Sequence, residues 1–76
     1  MVKAFVLITA KPGAESNLVG QLRDLDEVED AWAVYGEYDV IALVSVENLK
    51  DLDSFVTEKV RRLGEVQFTS TMICIK

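Results

Sequence analysis

The feature that most constrains this sequence is that its extended segments are apolar on both sides. Successive side chains of a strand point to opposite faces of a sheet. In the first segment, Val6 and Ile8 share one parity, whereas Phe5 and Leu7 share the other. Helices packed on one face leave the second apolar face uncovered, and an apolar patch of that extent marks an interaction surface. The pattern therefore predicts a sheet whose second face meets another copy of the chain.

Two later segments divide by parity in the same way. The expected faces are Val40, Val44 and Val46 against Ile41 and Leu43 in one segment, and Val66, Phe68, Met72 and Cys74 against Ile73 and Ile75 in the other. Charge falls chiefly at the segment ends. The alternative is a two-layer monomer that simply exposes these residues, and the extent of the patch argues against it.

A chain of 76 residues has room for one domain, which we assign to residues 1–76. A core of this size supplies only about 3–5 kcal/mol, so a further source of stability is expected. Cys74 is the only cysteine and histidine is absent, which excludes an internal disulfide and leaves a structural zinc ion without soft ligands. Self-assembly is the source that remains.

Changes of hydrophobic period divide the chain into six elements. Residues 2–10, 28–35, 38–47 and 65–75 have the composition of strands, and residues 14–25 and 48–63 repeat apolar side chains at helical spacing. Asn48 suits a helix N-cap, and Gly64 closes the second helical pattern. Only Gly36 and Glu37 separate the second and third strands, which predicts a two-residue type II′ hairpin.

This order, βαββαβ, predicts an α+β, ferredoxin-like fold with a four-stranded antiparallel sheet. Right-handed crossovers place both helices on one face and the first and third strands in the middle.

The charge balance argues against nucleic acid and membranes as partners. Thirteen acidic residues against eight basic ones give a net charge of -5, which repels phosphate backbones. The basic cluster Lys59, Arg61 and Arg62 falls where a helix should end, and cations there complement the helix dipole. No apolar run approaches 18 residues and no leader pattern opens the chain. We expect a cytoplasmic protein without direct nucleic-acid binding.

No reactive group of an enzyme is apparent. Without histidine the usual general base is missing, and Cys74 has no neighbour that would activate it, so a buried, inert thiol is expected. The acids between Asp24 and Asp30 have no spacing of a calcium loop. The chain is expected to be non-catalytic, with no metal and no cofactor.

Asp39 is a candidate ligand contact because it begins an apolar strand, where Asp is disfavoured. Asp39 follows the glycine hairpin, which Tyr35 and Tyr38 flank, and its carboxylate could accept hydrogen bonds from a ligand ammonium while Gly36 admits the ligand to the backbone. The alternative is a carboxylate that only satisfies backbone donors of the turn.

A second candidate set lies in the fourth strand, where Thr69 and Thr71 share a face with Ile73, and Ser70 points away. Two hydroxyls in line can bind a carboxylate or an amide. Threonine is also an ordinary strand residue, so a purely structural role is the alternative.

Three motifs in this order resemble the effector (RAM-type) domain of Lrp/AsnC transcription regulators. They are Lys11-Pro12-Gly13-Ala14-Glu15, Tyr35-Gly36-Glu37-Tyr38-Asp39 and Thr69-Ser70-Thr71-Met72-Ile73. The likeness spans essentially all 76 residues. It implies a dimeric α/β barrel in which two sheets pack face to face, further assembly into rings such as octamers or decamers, and amino-acid binding at contacts between dimers.

By position, the resemblance also implies which residues bind the ligand. The implied residues are Gly36, Glu37, Tyr38 and Asp39 of the hairpin and Thr69, Ser70 and Thr71 of the last strand. Regulators of this family place a helix-turn-helix domain before this region, whereas here the first strand starts at Val2. The chain is similar to a stand-alone version of the domain, and DNA binding cannot be carried over.

The leading hypothesis is therefore an oligomeric, non-catalytic amino-acid-binding module that acts in transcription regulation through mixed assembly with a full-length regulator of the family. One alternative is a small dimeric α/β-barrel enzyme of the oxygenase or isomerase type, because fold alone does not settle function. The other is a purely structural partner that completes another protein's ring.

Overall fold

A computed structural model describes all 76 residues and contains the elements in the predicted order. Strand β1 is Val2–Ala10, helix α1 is Glu15–Arg23, strand β2 is Val28–Ala33, strand β3 is Val40–Val46, helix α2 is Leu49–Phe55 and strand β4 is Val66–Ile73. The strands form one antiparallel sheet in the order β2-β3-β1-β4. The ferredoxin-like βαββαβ fold with β1 and β3 in the middle is confirmed.

One face of the sheet and both helices enclose the core. The even-numbered residues of the two central strands face the helices, and Val6, Ile8, Val40 and Val44 are completely buried. The helical segments contribute Leu18, Val19, Leu22, Leu52, Phe55 and Val60 to the same cluster. No polar or charged side chain is buried. Each large apolar side chain removed from water here contributes about 1.5–3 kcal/mol to stability.

Helix α2 continues into a π-helical turn, Val56–Val60, in which the Arg61 N–H donates to the Val56 carbonyl at 2.9 Å. The wider turn brings Val60 back onto the core five residues after Phe55, and both side chains are buried. The Asn48 side chain accepts a hydrogen bond from the Asp51 N–H at 2.9 Å, which confirms the predicted N-cap. Neither helical segment is long and apolar enough to cross a membrane.

The predicted two-residue hairpin between β2 and β3 is wrong. The Val34 N–H donates to the Asp39 carbonyl at 2.9 Å, so the turn encloses the four residues 35–38. Asp39 is held in the sheet because its own N–H donates to the Ile8 carbonyl of β1 at 2.9 Å. This contact with β1 fixes Asp39 directly before β3, so the loop between β2 and β3 is longer than predicted.

Two predictions near the ends of β4 are wrong, namely the face on which Val66 lies and the burial of Cys74. Thr9 pairs with Phe68 but Ala10 pairs with Val66, so a bulge turns Val66 away from the Phe68 face and onto the core. The Thr9 hydroxyl stabilises this bulge by accepting the Phe68 N–H at 3.0 Å. Cys74, expected to be buried, is exposed because it follows β4 on the face that no helix covers.

Candidate functional site

The face of the sheet opposite the helices is apolar and uncovered in one subunit, and we call it the open face. Its side chains form rows across the strands, because residues paired in neighbouring strands share a face. One row is Trp32, Ile41, Leu7 and Ser70, and the next is Asp30, Leu43, Phe5 and Met72.

The open face is more exposed at β4 than in the middle of the sheet. Phe68 and Met72 are 74% and 60% exposed, whereas Phe5 and Leu43 are half-buried by their neighbours. Aromatic, Leu and Met side chains arranged in rows can interdigitate with an equivalent sheet at about 10 Å separation. The arrangement is therefore suited to packing against a second sheet.

The loop between β2 and β3, residues 34–39, carries four of the predicted ligand contacts. Gly36 has φ +148°, a conformation that L side chains rarely adopt, so glycine is required there. Tyr35 and Glu37 are exposed at the tip, and Tyr38 is half-buried. The loop thus presents one carboxylate and one phenol to solvent.

The side chain of Asp39 is hydrogen-bonded to the backbone in this structure. Its Oδ2 accepts a hydrogen bond from the Ala10 N–H at 2.8 Å, at the end of β1. This contact matches the structural alternative considered for Asp39. Of the two acids in the loop, Glu37 is the more exposed, and contact of either acid with a ligand stays a prediction.

The three polar residues of β4 divide between the two faces of the sheet, with Thr69 and Thr71 on the helix face and Ser70 on the open face. Thr69 lies in a row with Ile8 and Val40, which places it about 10 Å from the β3 strand and at the same end of the sheet as Asp39. Ser70 is on the open face beside Leu7. Thr71 is on the helix face, two residues farther along the strand.

Thr71 lines a groove of about 340 Å³ between α2 and β4. Its other lining residues are Leu49, Leu52, Asp53, Val56 and Ile73. Neither Thr69, Ser70 nor any residue of the loop 34–39 lines this groove. One subunit therefore does not bring the seven predicted residues together.

A second groove, of about 440 Å³, lies where the turn before β2, the end of β3 and α2 meet. Acidic side chains dominate it, namely Asp26, Glu27, Glu47, Asp51 and Glu58. Lys59 from the π-helical turn donates to both carboxylate oxygens of Glu27, at 2.8 and 3.1 Å.

These hydrogen bonds lower the pKa of Glu27 below its ordinary value and raise the pKa of Lys59 above its own. Sequence reasoning had assigned Lys59 to the helix dipole and missed this ion pair. No local sequence pattern indicates this ion pair, because the two residues are 32 positions apart.

The fold and the open face define the class of small ferredoxin-like α+β domains. Within that class, residues 3–76 match the family described as the Lrp/AsnC ligand binding domain. The chain belongs to this family, and the resemblance inferred from the three sequence motifs is confirmed.

The chain is similar to transcription regulators and to solved structures of the same domain. An uncharacterised HTH-type transcriptional regulator of Pyrococcus abyssi is 32% identical over 72 residues, which are 95% of this chain and 46% of the regulator. The chain spans about half the length of the curated relatives that it matches.

Two crystal structures illustrate the range of the likeness. A hypothetical protein of Pyrococcus horikoshii is 49% identical with a TM-score of 0.93, and the match covers 100% of this chain and 92% of that one. A feast or famine regulatory protein of Mycobacterium tuberculosis, complexed with L-methionine, is 27% identical with a TM-score of 0.85, covering 100% and 51% of the two chains.

Proposed function

We propose that this chain is a self-assembling, non-catalytic domain that binds an amino acid and acts in transcription regulation. The open face is the observation that carries the proposal. In one subunit it leaves Phe68 and Met72 largely in water, and burying such a patch is the usual driving force for association. Two copies that pack their open faces together form the dimeric α/β barrel expected of the family.

The predicted ligand contacts support a site shared between subunits. Glu37 and Asp39 lie at one end of the sheet, whereas Thr71 lies in the groove beside α2. A loop from one subunit that approaches β4 of another would supply an acid for the ammonium and hydroxyls for the carboxylate of one amino acid. The tuberculosis relative complexed with L-methionine supports an amino acid as the ligand class.

The same surfaces also suit a mixed assembly. Curated relatives are transcriptional regulators about twice as long as this chain, and an equivalent open face on such a regulator could accept this chain in place of an identical copy. A role in transcription implies a cytoplasmic protein. Ligand binding would regulate such an assembly only if the affinity for the ligand differs between assembly states.

A thermal-shift screen with the twenty amino acids, combined with mass measurement by light scattering, tests the proposal. At about 100 times its dissociation constant, a ligand of the folded state adds about 2.7 kcal/mol of stability, a readily measured rise in Tm. Glu37→Ala should abolish the rise, and Ser16→Ala, on the exposed side of α1, should leave it unchanged.

The outcomes separate the two parts of the proposal. If none of the twenty amino acids raises the Tm of the wild type, the ligand class is wrong. If the wild type is a monomer at about 100 μM protein, a concentration at which a dimer with a Kd of about 1 μM would be mostly assembled, the open face is not an interface.

A further inference from the structure

All hydrogen bonds of the loop between β2 and β3 involve Asp39. The Asp39 carbonyl accepts the Val34 N–H at 2.9 Å, which closes the loop at its base. The Asp39 N–H donates to the Ile8 carbonyl at 2.9 Å, and its carboxylate accepts the Ala10 N–H at 2.8 Å. One residue therefore joins the start of the loop to two positions of β1.

The residues at the tip of the loop make no hydrogen bond of their own. Neither the backbone nor the side chains of residues 35–38 donate or accept one within the chain. Gly36 adopts φ +148°, and Tyr35 and Glu37 are exposed. An exposed segment without hydrogen bonds opens at little cost in free energy. The conformation of the tip therefore depends on what holds Asp39.

The two acids of the loop differ in their surroundings. The Asp39 carboxylate is half-buried, forms no ion pair and already accepts the Ala10 N–H. A ligand ammonium that drew this carboxylate away would leave the partly buried Ala10 N–H without an acceptor. The Glu37 carboxylate is exposed and has no partner within the chain, so it can meet an ammonium without the loss of another contact.

We propose that Asp39 is a positioning residue, which holds the loop 34–39 in its binding conformation through Ala10 while Glu37 meets the ammonium of the ligand. The inference rests on the amino-acid binding proposed above and adds to it separate roles for two neighbouring acids. A loop that is ordered before binding spares the complex the entropy cost of fixing its residues. The hydrogen bond between Asp39 and Ala10 therefore raises the affinity for the ligand without touching it.

A neutral variant that keeps the acceptor oxygen separates positioning from charge. L-Methionine is the first probe because the tuberculosis relative is complexed with it, and calorimetry measures its Kd. If methionine does not bind, an amino acid that raises the Tm in the screen above replaces it. Asp39→Ala should weaken binding at least about tenfold, because ordering the backbone of even one loop residue on binding costs about that factor. Asp39→Asn should stay within about threefold of wild type, because its amide oxygen still accepts the Ala10 N–H.

Glu37→Gln is the matched variant two positions away. It removes one charge from the same loop, as Asp39→Asn does, but it disturbs no hydrogen bond within the chain. We expect binding to weaken at least about tenfold, because a hydrogen bond to a charged group is lost. A ligand contact at Asp39 would reverse the pattern, with Asp39→Asn as weak as Asp39→Ala and Glu37→Gln near wild type.

Amide hydrogen exchange measures the anchoring of the loop without any ligand. In Asp39→Ala the Ala10 N–H should lose at least about tenfold more protection than the Ser45 N–H. Ser45 donates to the Glu27 carbonyl at 2.9 Å at the far end of β3, so its amide reports the general stability of the fold. In Asp39→Asn and Glu37→Gln, both amides should keep about the protection that they have in the wild type.

Three results would overturn the inference in distinguishable ways. Binding by the wild type with equal losses in Asp39→Ala and Asp39→Asn would show that the Asp39 charge contacts the ligand, and the proposed amino-acid binding would stand. Equal loss of protection at Ala10 and Ser45 in Asp39→Ala would show that Asp39 acts only on general stability. If no amino acid binds the wild type, the proposed function is wrong and the inference is wrong with it.

Discussion

The carboxylate of Asp39 accepts a hydrogen bond from the backbone N–H of Ala10 at 2.8 Å, across 29 residues of sequence. The pairing of β1 with β3 ends at Ile8 and Val40, so the Ala10 N–H lies beyond that ladder and has no backbone partner in it. The Asp39 side chain takes the place of that partner. It thereby joins the loop 34–39 to the end of β1.

Removal of this carboxylate should destabilise the fold. Asp39→Ala leaves the partly buried Ala10 N–H without an acceptor, and we expect a loss of about 1–3 kcal/mol in the free energy of unfolding, measured with urea. Asp39→Asn keeps a side-chain oxygen in place and should cost less. Glu37→Ala, in the same loop but exposed, should stay within about 0.5 kcal/mol of wild type. Equal stability of Asp39→Ala and Glu37→Ala would contradict this role.

The loop conformation predicts opposite effects for two glycines. Gly36 has φ +148°, so Gly36→Ala should destabilise by about 1–3 kcal/mol through backbone strain. Gly20 lies within α1, where Gly20→Ala should stabilise by about 0.5–1 kcal/mol. No atom lies within 4 Å of the added methyl group at either site, so neither effect involves a clash. Chemical denaturation of both variants measures the difference, and a stabilising Gly36→Ala would refute the strain.

A charge in the middle of the open face should prevent association. Leu43 lies between Asp30 and Phe5 in its row, and Leu43→Asp would bury an unpaired carboxylate in the interface beside another acid. We expect the association constant to fall at least about 100-fold, a loss of roughly 2.7 kcal/mol. Sedimentation velocity over a concentration series measures it. Ser16→Asp adds the same charge on exposed helix surface and should assemble normally, so a comparable loss there would point to net charge instead.

The Glu27–Lys59 ion pair should make stability depend on pH at both extremes. The pKa of Glu27 is lowered from 4.5 by the hydrogen bond from Lys59, so the contribution of Glu27 is complete above pH 4.5 and is lost as the pH falls below it. The pKa of Lys59 is raised from 10.5, so its contribution is complete below pH 10.5 and is lost at higher pH.

Replacement of the acid isolates this effect. Glu27→Gln should lower the Tm at pH 7 and at low salt, and the difference from wild type should shrink as the pH falls below 4.5 and Glu27 becomes protonated. Glu58→Gln, which makes no hydrogen bond to Lys59, is the matched control. A difference that is unchanged at pH 3 would assign the loss to packing.

Features that depend on local period were predictable from the sequence, and features that depend on distant partners were not. The alternation of β1 and β3 between two faces follows from the order of neighbouring residues. The N-cap at Asn48 likewise depends only on residues close in sequence. The length of the loop before Asp39 depends on the hydrogen bonds that Asp39 makes with Ile8 and Ala10, which lie on another strand. The turn of Val66 onto the core depends in the same way on the bulge beside Thr9.

The same distinction between local and distant determinants applies to the candidate site. The glycine requirement at Gly36 could be anticipated, because a conformation of positive φ favours that residue. The separation of Ser70, on the open face, from Thr71, in the groove beside α2, follows from strand alternation. Whether the loop 34–39 of one copy meets β4 of another depends on the proposed assembly, and the local sequence pattern of one chain carries no signal for such a contact.

The side chains of Arg23 and Asp30 occupy both outward backbone groups of Ala31 in the edge strand β2, because the Arg23 Nη2 donates to the Ala31 carbonyl and the Asp30 carboxylate accepts the Ala31 N–H. An edge strand with free backbone groups can accept a strand of another molecule, so these two side chains hinder strand addition at this point of β2. Residues that look like ordinary surface charge thus help to keep this edge from the open-ended strand pairing of cross-β fibrils.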